Sequence, residues 1–140
     1  MNVPSPATVR QAGVVVALQG AVLVAVALVL VVRHLAGVED PRWLSGYGTA
    51  AWFAIMGSAV LAAGWALWTG RRWGRGIAVF AQLLLLPVAW YMAVDSQRWE
   101  FGVPVALVAL VVLGLLFSPS ALAWAAQYSA SADNSGPDTR

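Results

Sequence analysis

Four stretches of this chain, 13–32, 49–68, 77–94 and 101–117, carry no charged side chain. No other feature constrains the fold as much. A hydrocarbon core of about 30 Å is crossed by about 20 helical residues rising 1.5 Å each. The first run is closed by Arg10 before it and Arg33-His34 after it, and the second ends at Gly70-Arg71-Arg72. Arg75 and Asp95 bracket the third. In lipid only helices and closed barrels satisfy every backbone polar group. Barrel strands alternate apolar and polar residues, and these runs do not. The expected fold is therefore all-α, a membrane-embedded four-helix bundle with short loops.

Composition supports lipid as the solvent. Of 140 residues, 61% are hydrophobic and 10% charged, against about 45–50% and about 25% in a soluble domain. The net charge is only +2, and the arginines sit at segment ends rather than on one face, so nucleic acid is not an expected partner. With no cysteine there is no disulfide or thiol chemistry.

Three regions follow. Residues 1–12 read as an N-terminal tail, 13–128 as the transmembrane domain, and 129–140 (SASADNSGPDTR) as a disordered C-terminal tail, polar and turn-rich. Within the domain, Pro104 suits the first turn of the fourth span, where a missing N–H costs little. Ser118-Pro119 reads as an N-cap followed by proline at the first helical position, starting a kinked or interfacial helix over 120–128. The first run is too long for a signal-peptide core, and His34-Leu35-Ala36-Gly37 is a poor cleavage site, so it is expected to be retained.

Arg71, Arg72 and Arg75 crowd one short loop, which marks its side as cytoplasmic and predicts both termini there, in a multi-pass protein of the plasma membrane. The same arginines are candidate lipid-headgroup contacts, each contributing about 1 kcal/mol. Tryptophans favour the interface. Trp65, Trp68, Trp73 and Trp124 are expected at the inner face, and Trp43, Trp52, Trp90 and Trp99 at the outer.

Helices in lipid associate by close packing and polar contacts. The second span carries small residues every fourth position, Ala50, Ala54, Ser58, Ala62 and Ala66, and the first carries Gly13, Ala17, Ala21 and Ala25. Both rows are candidate packing faces; Gly57 and Gly64 lie on a neighbouring strip. Gln19 and Gln82 lie at similar depth, roughly 8–9 Å in, and are expected to form a buried polar pair. Pro87 removes a backbone bond in the third span and is expected to kink it.

No ionisable residue lies mid-span, and such residues usually mark proton relays and coupled transport. The chain is similar in size to the small multidrug-resistance exporters, but those depend on a glutamate in the first span, where this chain has only Gln19. His34, Glu39, Asp40, Ser45 and Tyr47 gather in the first outer loop without a nucleophile elbow. Glu39-Asp40-Pro41 reads as a turn. No phosphate-binding or dinucleotide motif occurs, and one histidine builds no histidine-rich metal site.

The stretches GYGTAAWFAIMGSAVLAAGWAL, GRRWGRGIAVFAQLLLLPVAWYM and LLFSPSA, in that order, resemble a group of small integral membrane proteins from actinobacteria. The resemblance spans most of the chain and implies a four-span layout in the cell membrane, with no activity and no site residue to carry over.

The function expected from these readings is non-enzymatic: a packing or accessory subunit, in a homo-oligomer or a larger membrane complex, with membrane lipids as partners and no cofactor. One alternative is a small permeation or transport unit lined by Gln19, Gln82 and Tyr91. Another is a membrane enzyme using the first outer loop.

Overall fold

The computed structural model describes residues 4–39 and 47–134. All regular structure among them is helical: α1 (Ala7–Leu35), α2 (Tyr47–Trp68), α3 (Trp73–Val94), α4 (Trp99–Leu116) and α5 (Pro119–Asn134). The first four are long and apolar enough to cross a membrane. The 29 residues of α1 would extend about 44 Å, beyond the hydrocarbon core, which lets Arg10 and Arg33 reach the polar zones.

α1 packs on α2 and α4, and α3 packs on the same two helices. The four spans thus form a square in which α1 and α3 face each other across the diagonal. Two glycine-ended turns close helices. After α2, Gly70 takes φ 79°, the Arg71 N–H donates to the Ala66 carbonyl at 2.7 Å and the Gly70 N–H to that of Leu67 at 3.2 Å. After α1, Gly37 at φ 71° is flanked by the equivalent bonds to Arg33 and His34. Both are Schellman ends, in which a left-handed residue turns the chain and satisfies the last carbonyls.

The buried cluster lies at the end of the bundle that carries the α2–α3 turn. Val9, Ala12 and Val16 of α1 meet Leu67 of α2, Ala78 of α3, Val112 and Leu116 of α4, and Ala121 and Trp124 of α5. Trp124 is therefore not a lipid-facing belt residue; at 3% exposure it plugs this end of the bundle.

Several boundaries differ from the sequence reading, for identifiable reasons. α1 starts within the expected tail because Pro6 precedes it as cap and Val9 and Ala12 have a core to enter. α4 starts at Trp99, so Pro104 lies inside the helix rather than in its first turn; the carbonyl it leaves without a donor is that of Glu100, near the helix start. α5 is helical to Asn134, into the stretch expected to be disordered. Alanine favours helix, and the Ser131 hydroxyl donates to the Gln127 carbonyl at 2.9 Å, so its polarity is met within the helix. Ser118 caps α5 from its side chain, accepting the Ala121 N–H at 3.3 Å. α3 is continuous through Pro87, which lies on its outer surface.

Candidate functional site

Among the described residues the one polar side chain in the interior is Gln82, fully buried on α3. A buried amide without partners would cost about 1–3 kcal/mol. Its partner is Gln19 of α1. The Gln82 Nε2 donates to Gln19 Oε1 at 2.7 Å, and Gln19 Nε2 returns a longer bond to Gln82 Oε1 at 3.4 Å. The two amides thus form a reciprocal pair across the diagonal of the square. They are unequal: Gln82 is sealed, while Gln19 is half-buried and borders an apolar groove of about 470 Å³ shared with Val108 and Pro104 of α4. Tyr91 lies apart from them, 60% exposed on the outside of α3.

The close seam between α1 and α2 is built on glycine. A Cβ on Gly64 would lie 2.7 Å from the Ala17 Cα, and one on Gly20 2.7 Å from that of Leu61. Gly13 and Gly57 are slightly less tight, at 2.9 Å from the Gly64 carbonyl and from the Leu23 Cβ respectively. The five-residue row of α2 does not form one contact line. Ala50 and Ala66 are buried, Ala54 is half-buried, and Ser58 and Ala62 lie on the outer surface. A step of four residues turns the row by about 40°, so it winds off the contact, whereas a step of seven drifts only about 20°. The pairs Gly13/Gly20 and Gly57/Gly64 have that spacing. Gly20 was missed because it stands outside the four-spaced row of α1. In that row Ala17 is half-buried, and Ala21 and Ala25 are exposed.

At the α2–α3 turn the arginines divide by role. Arg75 donates from Nε and Nη2 to the Leu116 carbonyl, at 3.4 and 3.2 Å, capping the C-terminus of α4. Its guanidinium also lies 5.2 Å from the centre of the Phe117 ring. Arg71 and Arg72 are exposed. Arg10 of α1 stacks over Trp68 at 4.4 Å, a cation–π contact. Beside this, Thr8 and Ser120 share a hydroxyl bond of 2.9 Å, and Ser118 donates to Thr8 at 3.3 Å, linking α1 to α5. No spacing in the sequence pairs residue 75 with 116 or 8 with 120.

Between α1 and α2, Asp40, Ser45 and Trp43 lie outside the described residues, as does most of the expected turn over 39–41. His34 meets Tyr47 edge-on, ring centres 4.5 Å apart at 70°, which ties the end of α1 to the start of α2. Of the remaining tryptophans, Trp52, Trp65, Trp68, Trp73, Trp90 and Trp99 are all exposed on the bundle surface. Among the described residues no three side chains of metal-ligating type come together.

Comparison with protein-family models, curated proteins and solved structures finds no match to this chain.

Proposed function

We propose that this chain is a non-enzymatic packing subunit of the plasma membrane, with both termini cytoplasmic, which associates with copies of itself or with a larger membrane complex. The observation that carries the reading is a second use of the α1–α2 seam. On its outer side runs an apolar groove of about 390 Å³, with Gly13, Ala17, Ala21 and Gly64 along it and Trp65 and Trp68 at its edge. Small residues on a membrane-facing surface let another backbone approach closely, and close packing is what drives association where lipid is as apolar as the side chains.

A permeation path draws less support. Gln19 and Gln82 bond each other, Tyr91 is on the outer surface, and Trp124 fills the bundle at the α2–α3 end.

Ala21→Leu tests the packing role. Ala21 is exposed, so leucine there fills the groove without entering the interior. The expected result is a shift toward monomer, or loss of a co-purifying complex, by light scattering in mild detergent, with an unchanged melting temperature. A wild-type protein that is monomeric in native membranes by crosslinking and carries no partner would end the proposal.

A further inference from the structure

The bundle has a groove shaped for an amphiphile at its arginine-bearing end. It holds about 530 Å³ between α3 and the α4–α5 elbow. Arg72 and Arg75 stand at one end. Gly76, Val79, Phe80 and Leu83 continue from them along one face of α3, and Phe117 and Ala125 form part of the facing wall. The spacing 76, 79, 80, 83 is that of a single helical stripe. From Arg72 to Leu83 it rises about 16 Å, close to one leaflet of a 30 Å hydrocarbon core. Among the described lining residues the only charges are those of Arg72 and Arg75, at one end, and none is a carboxylate.

We propose that this groove is a binding site for one anionic phospholipid of the leaflet on the α2–α3 turn side. Its phosphate is held by Arg72 and Arg75 and an acyl chain lies along Val79, Phe80 and Leu83. A guanidinium has five N–H donors. Arg75 commits two of its three nitrogens to a single carbonyl, that of Leu116, and its remaining N–H groups serve the phosphate. That carbonyl and the Phe117 ring hold the guanidinium in place, so little side-chain freedom is lost on binding. Basic pockets beside transmembrane helices recognise anionic headgroups by this chemistry. The site separates the three turn arginines: Arg71, also exposed, does not line the groove. The inference is independent of the packing role proposed above.

The test is native mass spectrometry of the full chain in mild detergent, titrated with phosphatidylglycerol, phosphatidylcholine of the same chains, or glycerol phosphate. Phosphatidylglycerol is expected to bind at about tenfold lower concentration than phosphatidylcholine, and glycerol phosphate not to compete. Arg72→Gln should remove most of that preference and Arg71→Gln none of it. Arg75→Gln also uncaps α4, so Gly76→Leu serves as the second variant. A Cβ at Gly76 meets nothing within 4 Å, and leucine favours helix over glycine. Gly76→Leu should therefore melt no lower than wild type while losing the bound lipid. Equal binding of the two lipids, full competition by glycerol phosphate, or an Arg71→Gln loss as large as that of Arg72→Gln would each overturn the site.

Discussion

The amide pair is unequal, and the inequality makes a prediction. Gln19→Leu leaves Gln82 enclosed on α3 with no partner, whereas Gln82→Leu leaves Gln19 only half-buried at the edge of a groove, where its side chain has room to turn. The first change should cost about 1–3 kcal/mol and the second less. Replacing both by leucine removes both polar groups, so the double variant should be more stable than Gln19→Leu alone. The pair itself contributes about 0.6 kcal/mol, with about 1.7 as the upper end. Thermal melts of the four proteins in detergent check this. Single effects that simply add, within about 0.3–0.5 kcal/mol, would mean the two amides do not depend on each other.

At the scale of elements, the two hairpins are held in different ways. α1 and α2 meet through four glycines, two on each helix, so their backbones nearly touch. α3 and α4 are tight chiefly near the loop joining them, where a Cβ on Gly102 would lie 2.7 Å from the Ala89 carbonyl. Gly64→Leu would thrust a side chain into the backbone of Ala17, which cannot move without separating the helices. The overpacking should cost about 1–3 kcal/mol or more and lower the melting temperature measurably. Ala62→Leu, two residues away on the outer surface, should leave melting unchanged. A large loss from Ala62→Leu with none from Gly64→Leu would show that the helix faces are assigned the wrong way round.

The whole molecule is asymmetric along its length. Its buried cluster, the Arg10–Trp68 stack, the Arg75 cap and the Thr8–Ser120 bond all lie at the end closed by α5. The end bearing His34 and Tyr47 is held by the edge contact of those two rings and by the close approach of α3 and α4 at Gly102. With Arg10, Arg71, Arg72 and Arg75 gathered at the closed end, the positive-inside rule predicts that this end faces the cytoplasm. A reporter fused after Arg140 should be active on the cytoplasmic side, and one inserted near Gly37 on the outer side. The opposite pattern would invert the bundle and move the lipid groove to the other leaflet.

The number and type of spans were legible in the sequence because a bilayer imposes length and apolarity on every crossing element, one segment at a time. Local signals were legible for the same reason: Ser118-Pro119 starts α5, and the depth of Gln19 matches that of Gln82. What only the tertiary structure decided is which face of each apolar helix turns inward. In these spans nearly every face is apolar, so hydrophobic periodicity says little about direction. Backbone approach decided instead, and it selected the seven-spaced glycines over the longer four-spaced row. Long-range partners were likewise out of reach of spacing. Trp124 reads locally as a belt residue, yet α5 folds it into the end of the bundle. Arg75 reads as a topology signal, yet it caps a helix 41 residues away.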